Sequence, residues 1–150
     1  AHGVVWNETT QRLYAIGGQS LQIYKLKDWE TAAPSLELEK TVQTPQGGLH
    51  DMSYVNSNTL CIGGRRAHLY DIGANRFTEM MLFSASTAIK SINYNDETGE
   101  LWYTDSTNPE GSQSWSTQTI RYSTDKNAST ETRTIKVPDL DVYKVRVMNW

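Results

Sequence analysis

Along the whole chain, apolar and polar residues alternate in short runs, and the runs are punctuated by Gly, Asn, Asp and Ser. A period of two bounded by turn residues marks β-strands. One group of four strands is predicted over residues 4–7, 13–17, 21–26 and 36–42, and a second over 52–55, 59–63, 68–72 and 77–83. A third follows over 92–95, 101–105, 119–122 and 132–137, its first hairpin stretched by residues 106–117. A further strand over 143–149 opens a fourth group that has no other members.

The groups are copies of one unit. Gly17-Gly18 precedes Leu21-Gln22-Ile23-Tyr24, and Gly63-Gly64 precedes Ala67-His68-Leu69-Tyr70 at the same spacing. Candidate inner strands open at His2, His50, Lys90 and Lys144, intervals close to the roughly 40–50 residues of a four-stranded propeller blade. The chain therefore reads as an all-β partial β-propeller. Its blades fall at about 1–43, 49–84 and 89–138, with a closing strand at 143–150. A lone inner strand exposes unpaired backbone, which predicts half of a six-bladed ring of roughly 270–300 residues. Further chain before residue 1 is then expected to complete the ring, unless a second copy closes it by self-association.

The glycine pairs lack the strand-to-helix setting and the Lys-Ser/Thr of a phosphate loop, so they are read as hairpin turns needing φ > 0. Tyr24 and Tyr70 recur with them, which argues for packing between blades. The third unit aligns in two ways, with Arg121 or Tyr122 at the place of Tyr70, and a one-residue slip exchanges faces. Cys61 aligns with Ala15 and reads as a small core thiol. Asn7-Glu8-Thr9 and Asn127-Ala128-Ser129 fit the glycosylation pattern but read as turns.

Charge and hydropathy narrow the function classes. A net charge of −3 gives no broad basic surface, which argues against nucleic acid as a partner. No apolar run has the length of a membrane-spanning helix.

Four stretches carry a family resemblance: residues 2–6 (His-Gly-Val-Val-Trp), 13–18 (Leu-Tyr-Ala-Ile-Gly-Gly), 47–51 (Gly-Gly-Leu-His-Asp) and Trp115 through Arg121-Tyr122. With the terminal Tyr143-Lys144-Val145-Arg146, they resemble the later blades of an uncharacterised bacterial six-bladed propeller family. The resemblance implies the fold and an extracytoplasmic setting, periplasmic or secreted. A weaker likeness, of fold alone, is to propeller-type polysaccharide lyases acting on uronic-acid polymers.

Site candidates follow from position in the repeat. His2, His50, Lys90 and Lys144 open successive inner strands, so they converge on one end of the channel, with Asp51 and Arg146 beside them. Such a ring suits an anion: imidazoles ligate a metal or take a proton, and the lysines hold a carboxylate. The bland alternative is polar packing at the hub. Trp115, on the long loop, either stacks on a sugar or pins its loop. The reading is a propeller that recognises or processes a carbohydrate or another small anionic ligand at the axial mouth. A non-catalytic scaffold binding a protein partner is the alternative, and the residues assign neither an enzyme class nor a cofactor.

Overall fold

The computed structural model describes residues 1–82, 87–110, 112–124 and 133–148. Twelve strands fall into three antiparallel four-stranded sheets, each a meander in chain order. The first contains β1 (Gly3–Asn7), β2 (Arg12–Gly17), β3 (Ser20–Lys27) and β4 (Ser35–Gln43). The second contains β5 (Asp51–Asn56), β6 (Thr59–Gly63), β7 (Ala67–Asp71) and β8 (Arg76–Met80). The third contains β9 (Ile89–Tyr94), β10 (Leu101–Asp105), β11 (Thr119–Ser123) and β12 (Arg133–Lys136). The innermost strands β1, β5 and β9 lie side by side, and the sheets stack as blades around that line.

Alternation along each strand makes two faces, and each blade's forward face packs on the backward face of the next. Tyr14, Ile16, Leu21 and Ile23 of the first blade meet Met52, Leu60, Ile62 and Tyr70 of the second. Cys61 and Ala67 of the second, with Leu69 and Met80, meet Ile92, Tyr94, Leu101 and Tyr103 of the third. The blades approach closely at the hub. A Cβ on Gly3 would stand 2.7 Å from the Met52 backbone nitrogen, so only glycine fits there.

The ladders correct three details of the repeat. Leu13, Leu60 and Leu101 hold one position, opposite Trp6, Tyr54 and Tyr94. Their outer neighbours are Tyr24, Tyr70 and Ser123, so neither Arg121 nor Tyr122 takes the tyrosine's place. The glycine pairs are offset by one, because Gly63 stands opposite Asp51 where Ile16 stands opposite Gly3. Cys61 consequently matches Tyr14 and not Ala15. Gly18 has the expected positive φ of 61°. Gly64 does not; a Cβ there would lie 2.9 Å from the Gly48 carbonyl oxygen, and crowding rather than turn geometry selects it.

Residues 143–148 form no strand, which corrects the closing-strand expectation. Only an isolated bridge, Thr117 with Val142, precedes them. Side chains of the third blade take the backbone hydrogen bonds that a ladder would supply. Asn7 ends β1 and braces the turn that follows it: its side chain accepts from the Thr10 amide at 3.0 Å and donates to the Ser57 carbonyl at 2.9 Å. Residues 127–129 lie outside the described residues.

Candidate functional site at the axial end of the inner strands

Gly3, Asp51 and Ser91 hold equivalent ladder positions, opposite Ile16, Gly63 and Thr104. The residues just before them, His2, His50 and Lys90, therefore reach the same end of the channel. The His2 and His50 rings meet edge to face with centroids 5.7 Å apart, and Lys90 Nζ is 2.8 Å from His50 Nε2. Asp51, completely buried, is the hub of the cluster. Its Oδ2 accepts from the Ile92 amide at 2.9 Å and from an Arg146 NH at 2.8 Å. Its Oδ1 accepts from the other Arg146 nitrogen at 2.5 Å and from Lys144 Nζ at 3.1 Å. Lys144 also donates to the His2 carbonyl at 2.6 Å.

Burial, followed by the charge of Lys90, lowers the His50 pKa to about 4. Burial also lowers that of Lys90, against the pull of Asp105. With the Lys90 ammonium as donor, His50 Nε2 accepts, and the neutral ring carries its proton on Nδ1. That nitrogen faces the Tyr143 hydroxyl at 3.5 Å. Burial, with Asp51 second, raises the Tyr143 pKa.

The C-terminal segment lies beside β9 as an inner strand would. Ser91 Oγ accepts from the Val145 amide at 3.0 Å, just as Asp51 accepts from Ile92, and Asn93 donates to the Val145 carbonyl at 3.0 Å. Thr104 donates to the Tyr143 carbonyl at 2.8 Å. Counting back from Ile92 and Val145, Tyr143 stands where Lys90 and His50 stand. Lys144 sits one position further on, in line with Asp51, and is not the fourth member of the ring. Both neighbours of β9 are thus in place, and every residue of β9 is buried.

Trp115 is 46% exposed, with its ring edge-on to Tyr143 at a centroid distance of 5.6 Å. Asp141 ties the long loop to the same segment, accepting from the Ser112 amide at 2.8 Å and from the Ser116 hydroxyl at 2.7 Å. The structure thus joins all seven expected residues into one connected cluster, with Trp115 attached through Tyr143. Sequence reasoning missed Tyr143, Ser91, Asn93 and Thr104 as members. The run of polar residues Lys90, Ser91 and Asn93 within an otherwise apolar strand was the available signal.

Chemically the cluster is a set of satisfied hydrogen bonds around one carboxylate. Among the described residues no three His, Cys, Asp or Glu side chains gather to hold a metal ion. Further along the inner strands, Val4, Tyr54, Asn93, Asp96 and Val147 line a cavity of about 530 Å³.

No family model and no curated protein matches the chain. Solved structures do. A chain of the mitotic checkpoint complex matches with a TM-score of 0.63 at 14% identity, over 95% of this chain and 42% of that one. The N-terminal domain of Nup159 matches with a TM-score of 0.57 at 10% identity, over 91% and 34%. Kluyveromyces lactis Hsv2 matches with a TM-score of 0.50 at 11% identity, over 90% and 36%. These neighbours are β-propellers, and the fold of this chain is that of part of a propeller. The chain spans less than half the length of each of the three. Among the described residues there is no helix long and apolar enough to cross a membrane.

Proposed function

We propose that the chain is part of a propeller scaffold that binds protein, with its axial cluster acting as a structural tie. The observation that carries this reading is the state of Asp51. A general base or ligand-holding carboxylate needs a free lone pair aimed at substrate. Asp51 instead accepts four hydrogen bonds from groups of the chain itself, which link β5, β9 and the C-terminal segment. The propeller fold of the solved neighbours accords with the same reading by analogy of fold alone.

A second reading is favoured by the ammonium groups of Lys90 and Lys144 beside the exposed His2. It is recognition of an acidic sugar at the axial mouth, and the extracytoplasmic setting belongs with it. Titration with a galacturonic-acid oligomer, followed on the imidazole signals of His2 and His50, separates the two. The scaffold reading expects those signals to stay fixed at millimolar sugar. Movement that disappears in Lys90→Ala would replace it with the sugar-binding reading.

A further inference from the structure

We infer that the connection between the first two blades, residues 44–49, is a pH-sensitive latch, held on the β6–β7 turn by Gln46 while His68 is neutral and released when His68 is protonated. Gln46 grips that turn by two backbone contacts: its Oε1 accepts from the Arg66 amide at 2.5 Å and its Nε2 donates to the Arg66 carbonyl at 2.6 Å. This pair fixes the orientation of the Gln46 amide. The same Nε2 lies 3.1 Å from His68 Nδ1. Since an amide nitrogen only donates, Nδ1 is the acceptor, and the ring is neutral with its proton on Nε2. A proton on Nδ1 would face the Gln46 NH2 donor to donor. Turning the Gln46 amide over to relieve that contact would set its nitrogen against the Arg66 N–H and its oxygen against the Arg66 carbonyl. Both backbone contacts would be lost, so the charged ring and the closed latch exclude each other.

The surroundings let the ring take that proton. Burial lowers the His68 pKa, while Glu79 and the Arg66 carbonyl pull the other way. Glu79 stands directly opposite His68 on β8, and its carboxylate is 3.9 Å from the Arg66 guanidinium on the turn. The connection faces the ring with Gln46, and β8 adds the Phe77 ring edge-on at a centroid distance of 6.5 Å, neither of them charged. The Arg66 carbonyl is then the acceptor for the new Nδ1–H, in place of Gln46. Only the middle of the connection is free to lift. At one end the Thr44 amide donates to the Gln19 carbonyl at 3.1 Å. At the other, Leu49 is buried and the His50 amide donates to the Gly63 carbonyl at 2.9 Å. Among the described residues no backbone–backbone hydrogen bond holds residues 45–48, and Gly48 has a positive φ of 67°. The segment lies at the end of the channel that carries His50, so acid reshapes that face while the cores between the blades stay packed.

The test is an NMR titration of the whole chain from about pH 7.5 to about pH 4.5, with the His50 and His68 rings resolved separately. The Gln46 side-chain NH2 and the Arg66 amide should shift with the His68 midpoint. Protection of the Arg66 amide from hydrogen exchange should fall roughly tenfold or more below that midpoint, while the Cys61 and Tyr103 amides stay protected. In Gln46→Glu the carboxylate accepts from both the Arg66 amide and a charged His68, so the His68 midpoint should rise by about one unit or more and Arg66 should keep its protection. His68→Gln places there the residue that Gln22 supplies at the matching ladder position of the first blade, and it should remove the pH dependence at Arg66. The proposal is overturned by a His68 ring that stays neutral to the lowest pH, by an Arg66 amide indifferent to its titration, or by an unmoved midpoint in Gln46→Glu. The same loss of protection in His68→Gln, or loss at Arg66, Cys61 and Tyr103 together, would equally overturn it.

Discussion

Asp51→Asn is the most informative single substitution, because it removes the charge at the hub while keeping shape and one acceptor. The Asp51 side chain is 0% exposed, whereas Lys144 and Arg146 are 26% and 43% exposed. Loss of a buried ion-pair partner usually costs about 3–5 kcal/mol because a buried charge is left behind. Here the orphaned charges are the two cations, and both reach water, so the Coulomb part is screened. Two weakened charge-assisted contacts at the low end of about 1.5–3 kcal/mol each, discounted for that exposure, leave roughly 2–3 kcal/mol. Asp51→Ala also strips the Ile92 amide of its acceptor, adding about 1–3 kcal/mol for an unpaired buried donor. Urea unfolding at pH 7 measures both variants, and the alanine should be the less stable. An asparagine variant within about 0.5 kcal/mol of the parent would refute the tie, since that is the range of an indifferent surface change.

Three other outcomes follow from the same geometry. His50 has a folded pKa of about 4 against 6.5 for a free imidazole, so the unfolded chain binds the extra proton between those values. Stability should therefore be complete above pH 6.5 and fall by about 2–3 kcal/mol as the pH drops to 4; an imidazole NMR titration placing His50 above 6 would contradict this. Gly3→Ala should destabilise by about 1–3 kcal/mol, the usual cost of overpacking, because its Cβ meets the Met52 backbone at 2.7 Å; thermal unfolding reads it. Burial raises the pKa of the Cys61 thiol, which is completely covered, so it should resist iodoacetamide at pH 8 until urea unfolds the chain.

The strands were legible because each blade alternates cleanly: the observed bounds of β6 and β10 coincide with the sequence expectation, and most others differ by a residue or two. The convergence of His2, His50 and Lys90 was legible for the same reason, since equal places in a repeat become neighbours at its hub. Position within the last segment was not. Val145 and Val147 alternate with cations, so matching Lys144 to Lys90 by residue type looked natural. Backbone capture by Ser91 and Asn93 sets the actual register, and it shifts the match to Tyr143. The glycine pairs misled in a similar way. Identical residues answer different demands, a positive φ at Gly18 and a close backbone approach at Gly64.

The reach of Asp51 along the chain also bears on the order in which the molecule assembles. Its contacts to Lys144 and Arg146 join residues 93 and 95 positions apart, whereas each sheet is a meander of sequence neighbours. Local hairpins close early, and blades of a repeat fold nucleate separately before they dock. The carboxylate should therefore find its cations after the rate-limiting barrier. Asp51→Asn would then leave the refolding rate almost unchanged and place nearly all of its effect on unfolding. On that account Asp51 is a latch on the finished molecule and takes no part in its nucleus.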